Sequence, residues 1–160
     1  MPLRQQILGL IVCLGVAFAT AAIGAVASVR AAEFYQTLVQ PSWAPPAALF
    51  GPVWSFLYLC MGVASWLVWR TRDARRGPAL AIYLAQLALN ALWSWLFFAW
   101  QEGRWAFVEI LVLWVFIVAT IVVFWRIHRC AAALLLPYLL WVSFATGLAY
   151  TMWRLNPGVL

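Results

Sequence analysis

The chain has 160 residues, of which 68% are hydrophobic and 9% charged, whereas soluble domains carry about 45–50% apolar and about 25% charged residues. So few charges cannot cover a water-soluble surface. Lipid must be the solvent for most of the molecule, and at about 20 apolar residues per span there is room for five or six helices and no separate soluble domain. The net charge of +6 comes from arginines set between apolar runs, with no lysine, which suits headgroups and excludes the solvated basic face of a nucleic-acid binder.

Five apolar runs predict an all-α membrane bundle of one domain, with helices over about residues 6–29, 48–69, 79–100, 105–125 and 131–153. The first run follows Arg4, lacks a clean small-residue cleavage site and reads as a retained helix rather than a signal peptide. Along it Gly9, Cys13, Ala17, Ala21 and Ala25 recur every four residues, and the third run adds Ala81, Ala85 and Ala88. Small-residue faces bring helix backbones close, within one chain or between two copies, and a homodimer is expected. Cys13, Cys60 and Cys130 are far apart and form no CxxC, so they read as small apolar residues, with neither a disulfide framework nor a metal site.

Between the first two runs lies a connection of about 18 residues carrying Tyr35, Pro41, Trp43, Pro45 and Pro46. A loop that long in so small a chain is functional or disordered. Its prolines restrict the backbone and Trp43 wants burial, so residues 30–47 are expected to form an ordered lid; an inert interfacial anchor is the alternative.

Helical spacing then sorts the remaining aromatic and polar residues into faces. Trp54, Tyr58, Met61 and Ser65 share one face of the second run, Gln86, Asn90, Trp93 and Phe97 one face of the third, and Tyr138, Trp141, Ala145 and Leu148 one face of the fifth. Gln86 and Asn90 are costly against acyl chains, so these faces should point inward, either to bind helices together or to line a pocket. Indoles pack helices less closely than small residues do, and a few polar groups in an aromatic wall characterise ligand sites, which favours a pocket for a flat, apolar ligand. Trp66, Trp69, Trp100, Trp105, Trp125 and Trp153 lie near span ends as an interfacial belt. Trp114 and Trp141 fall in mid-span, where an indole N–H needs a protein, ligand or water partner.

On the fourth run Glu109 is the acid set inside a span. It is a functional candidate by its position, or a structural one reaching headgroups or Arg104. Pro137 should bend or loosen the fifth helix, and His128, flanked by Arg126 and Arg129, reads as solvated. Leu148, Tyr150 and Arg154 fit a degenerate pattern proposed for cholesterol contact. Arg4, Arg70, Arg72, Arg75, Arg76, Arg126 and Arg129 fall on one side against Arg30, Arg104 and Arg154 on the other, which places the amino terminus inside and the long loop outside. No nucleophile elbow, HExxH, phosphate loop or acid pair at glycosidase-like spacing is present, so a conventional hydrolase or metalloenzyme is not expected.

The runs PSWAPP and GPVWSFLY, AQLALNALW, WAFVE and PYLLWVSFATGL, in this order from about Gly24 to Asn156, resemble the TspO/MBR family of translocator proteins and tryptophan-rich sensory proteins. The resemblance implies a five-helix bundle, often dimeric, that binds porphyrins such as protoporphyrin IX and, in animal members, cholesterol and benzodiazepine-type or isoquinoline ligands. It implies a pocket formed by Tyr35, Trp54, Tyr58, Asn90, Trp93, Trp105, Val108, Trp141, Ala145 and Leu148. Trp54 and Trp141 correspond to the tryptophans implicated in light-dependent porphyrin breakdown by bacterial members, and so are the candidates for any catalytic role. Gln40 stands where many members have lysine. No cofactor is required on this reading, porphyrin is the expected ligand and lipid or sterol a further partner; a receptor, sensor or transporter is favoured over an enzyme or a structural or signalling partner. A bacterial membrane, outer or inner, is favoured over the mitochondrial outer membrane.

Overall fold

The computed structural model describes residues 2–160 and is built of helices joined by turns, with no strand among them. The first span is α1 (Leu3–Ala27) and the long connection contains a short helix, α2 (Ala31–Thr37). A 3-10 turn at Ala47–Leu49 leads into α3 (Phe50–Trp69). Next come α4 (Arg76–Ser94), which runs on as a π-helical turn over Trp95–Ala99, and α5 (Gly103–Trp125). The last span is divided into α6 (Arg129–Ala133) and α7 (Leu136–Leu155). Five helical stretches are long and apolar enough to cross a membrane, matching the five runs: Leu3–Ala27, Ala47–Trp69, Arg76–Ala99, Gly103–Trp125 and Arg129–Leu155.

The spans close into a ring. The first packs on the second and third, the third on the fourth, the fourth on the fifth, and the fifth returns to the second through α6. The seam between α1 and α3 depends on glycine: a Cβ on Gly9 would lie 2.2 Å from the Trp69 ring, and one on Gly62 would lie 2.7 Å from the Leu14 side chain. Helix backbones come this close only where a side chain is missing. Gly9 and Ala17 of the small-residue face are thus spent inside the chain, while Ala25, Ala81 and Ala88 are exposed.

Breaks in the helices fall where the chemistry requires them. Pro137 has no N–H to give the carbonyl of Ala133, so the expected bend is realised as a full interruption: α6 ends at Ala133 and Pro137 occupies the first turn of α7. His128 is not simply solvated, since its Nδ1 accepts the N–H of Ala131 at 3.3 Å and caps α6. Outside the spans, Arg75 binds Asp73 at 2.6 Å and holds its carboxyl down to about 2. At the opposite end the π-helical turn closes with Trp100 N–H on Trp95 O at 2.8 Å, and Gln101 takes a left-handed conformation (φ 56°) to reverse the chain into α5.

Candidate ligand cavity

The end of the bundle beside the long connection is hollow. A cavity of about 430 Å³ lies between the carboxyl-terminal half of α1 and the amino-terminal half of α3, with α4 and α7 behind it and α2 above. Its volume falls in the range of about 300–1,000 Å³ usual for small-molecule sites. From α3 come Phe50, Trp54 and Tyr58, from α4 Asn90 and Trp93, from α7 Trp141 and Ala145, and from α2 Tyr35.

The hollow follows from local structure. Beyond Phe18 its α1 wall is small, with Ala21, Gly24 and Ala25 leaving room, and most of its rings come from α3, α4 and α7. Phe50 ties the lid to the back wall, with its centroid 5.4 Å from Tyr35 and 5.9 Å from Trp141, both edge-on. Trp54 lies 5.8 Å from Tyr58 and 6.2 Å from Tyr138, so the aromatic faces of α3 and α7 meet at the floor of the cavity. Below them a buried chain of hydrogen bonds crosses three helices. The Tyr58 hydroxyl donates to Asn90 Oδ1, and Asn90 Nδ2 donates to the Tyr138 hydroxyl at 2.8 Å. That chain orients the Asn90 amide and fixes the tilt of both phenols.

Two donors at this site are unused: the indole N–H groups of Trp93 and Trp141 are buried with no hydrogen-bond partner among the described residues. A buried N–H left unpaired costs about 1–3 kcal/mol, and a ligand acceptor relieves that cost. The other mid-span indole differs, because Trp114 Nε1 donates to Ser143 Oγ at 2.8 Å.

The connection expected to form a lid is partly helical, through α2, and runs over the mouth of the cavity. Tyr35 is buried, its hydroxyl donates to the Pro45 carbonyl at 3.0 Å, and burial pushes its phenol up from the ordinary value, so it remains a donor. Gln40 Nε2 donates back to Tyr35 O at 2.5 Å. Trp43 does not find the burial expected of it. It is 49% exposed and rests edge-on against Phe144 at 5.7 Å, outside the cavity, and Pro45 and Pro46 likewise shape the loop without lining the hollow.

Seven of the ten residues named from sequence therefore meet at one cavity: Tyr35, Trp54, Tyr58, Asn90, Trp93, Trp141 and Ala145. Trp105 and Val108 do not, being 56% and 44% exposed on the outer face of α5. The inward face of α5 is instead Ala106, Glu109, Ile110 and Leu113, and no α5 residue lines the cavity. Leu148 is buried, but under α2 with Leu38 and Phe97 rather than in the cavity wall. It is also parted from Tyr150 and Arg154, which are exposed, so the sterol pattern does not gather on one face. Glu109 points inward with both carboxyl oxygens unpartnered among the described residues, and Arg104 sits over the Trp105 ring at 5.9 Å instead of pairing with it. Sequence reasoning missed Phe18 and Phe50 as cavity residues, and it assigned Ala21 to helix packing. The clue was the run of small residues late in α1, directly before the lid.

Comparison with known proteins agrees with this architecture. The model of the TspO/MBR family matches residues 9–154. The tryptophan-rich protein TspO of Chlorobaculum tepidum is 41% identical over 160 residues, covering 97% of this chain and all of its own length. The translocator protein of Homo sapiens is 41% identical over 129 residues (79% of this chain, 76% of its own), and the tryptophan-rich sensory protein of Cereibacter sphaeroides 39% identical over 124 (78% and 77%). The chain belongs to the TspO/MBR family and is a multi-pass integral membrane protein.

Proposed function

We propose that this member of the TspO/MBR family binds a tetrapyrrole of the protoporphyrin IX type in the cavity beneath its lid and acts as a receptor, sensor or transporter in a bacterial membrane. The observation that carries the reading is the pairing of flat aromatic walls, Trp54, Phe50 and Trp141, with the two unused indole donors of Trp93 and Trp141. A planar conjugated ligand would stack on the first and offer acceptors to the second. The lid above and the small α1 wall beside it would let an apolar ligand arrive from the lipid phase and be enclosed. Tyr150, exposed on the outside of α7, would meet a sterol only from outside the bundle.

Titration of purified protein with protoporphyrin IX, followed by tryptophan quenching, tests the site. Trp54→Ala combined with Trp141→Ala should weaken binding at least tenfold, a change of about 1.4 kcal/mol. Quenching that is unchanged in the double variant would place the ligand elsewhere. A second reading, light-dependent degradation of the bound pigment, is favoured by the presence of Trp54 and Trp141 in one cavity. It requires more pigment loss under illumination than an equally tight-binding Trp→Phe variant gives.

A further inference from the structure

The lid is held at one point by a side chain from the far end of the sequence. Asn156 follows the last turn of α7 and is 6% exposed. Its Oδ1 accepts the Val39 N–H at 2.8 Å, and its Nδ2 donates to Val39 O at 3.0 Å and to Met152 O at 2.8 Å. One amide thus engages both backbone groups of a single lid residue, as a neighbouring β-strand would, while also capping α7. Val39 directly follows Leu38, which is buried with Tyr35, Leu148, Met152 and Phe97.

The placement gives this contact leverage. Val39 is at the hinge between α2, which supplies Tyr35 to the cavity roof, and the segment over Pro41–Pro46. Beyond Val39, the polar ties of that segment run within the lid itself, through the Tyr35 hydroxyl to Pro45 O and Gln40 Nε2 to Tyr35 O. Those ties would move with the lid. Asn156 instead joins the hinge to a membrane-spanning helix 117 residues away in sequence.

We infer that Asn156 is a latch: its paired hydrogen bonds to Val39 hold the lid shut, and their breakage sets the rate at which ligand enters and leaves the cavity. The inference rests on the proposed tetrapyrrole site only for its ligand. A latch acting on lid opening has a kinetic signature. Weakening it raises the open fraction in both the empty and the loaded protein, so association and dissociation accelerate together and the dissociation constant moves little. Damage to the cavity itself would raise dissociation and the dissociation constant, with association unchanged.

The test uses the whole protein in detergent or lipid discs, stopped-flow protoporphyrin IX quenching and hydrogen exchange of the lid amides. Asn156→Ala removes latch and helix cap together. Val39→Pro removes only the N–H given to Oδ1 and leaves the Asn156 to Met152 bond in place; the extended backbone at Leu38 (ψ 146°) suits a residue preceding proline. Val39→Ala keeps both backbone groups. Both disruptive variants should exchange the lid amides, Ala44 among them, about tenfold faster and speed ligand entry and exit by a similar factor, while Val39→Ala matches the parent. Parent-like exchange in both would overturn the latch, as would acceleration in Asn156→Ala alone, which would assign the effect to the helix cap. If the parent protein does not bind protoporphyrin IX, the proposed ligand fails, and lid exchange still decides the latch.

Discussion

The two ends of α3 turn one continuous inward face to the bundle and do opposite things. Toward its carboxyl end Met61, Ala64 and Val68 are fully buried, and Gly62 lets the α1 backbone approach so closely that a Cβ there would stand 3.1 Å from Leu14 Cα. Toward its amino end Trp54 and Tyr58 line a hollow, and a Cβ on Gly51 would meet no atom within 4 Å. The difference lies in the partners. α6 and the glycine seam close the ring at one end, whereas the small residues of α1 and the lid leave space at the other. An inward stripe on a membrane helix is therefore core or cavity according to what faces it, and periodicity alone cannot separate the two.

Glycine substitutions break this comparison most directly. Gly62→Val should destabilise the protein by about 1–3 kcal/mol, because the neighbour that must yield includes the backbone of Leu14 rather than only the tip of a flexible side chain. Gly51→Ala should raise stability by up to about 0.5–1 kcal/mol, since it removes a helical glycine into open space. Thermal unfolding in one detergent reads both. Equal destabilisation by the two would mean that the cavity end is packed as tightly as the closed end.

A smaller effect separates the lid from the walls. Tyr35→Phe keeps the ring against Phe50 and deletes the hydroxyl bond to Pro45, a loss of about 0.5–1.5 kcal/mol confined to the lid. Exchange of the Ala44 amide should quicken several-fold, with exchange in α3 and α5 unaltered. Spread of the change into those helices would make lid and bundle a single cooperative unit.

The sequence carried the span count, because an apolar run of membrane length has few alternatives. It carried seven cavity residues because Trp54, Tyr58, Asn90, Trp93, Trp141 and Ala145 lie on inward faces that helical spacing defines, and family motifs name them together with Tyr35. Trp105 and Val108 were misplaced because motif position says nothing of how a helix is rotated: α5 turns Glu109 and Ile110 inward, so its opening turn sets Trp105 against lipid. The latch was illegible for another reason. Asn156 beside Pro157 and Gly158 reads as a helix terminator, and its pairing with Val39 exists only once the chain has folded over 117 residues.

Trp114 and Trp141 allow the finest test, since sequence treats them alike and the structure does not. Both are mid-span indoles requiring a partner; Trp114 has one in Ser143, whose hydroxyl is in turn committed to Leu139 O at 2.7 Å, and Trp141 has none among the described residues. Hydrogen bonds between membrane helices average only about 0.6 kcal/mol, so Ser143→Ala should lower stability by about that amount and shift the emission of Trp114 without affecting ligand affinity. Trp141→Phe removes a donor that no protein group uses, so the empty protein should unfold at nearly the parent temperature while protoporphyrin IX binding weakens. If instead Trp141→Phe destabilises the empty protein as much as Ser143→Ala does, its N–H already has a partner, and the donor proposed for the ligand is not free.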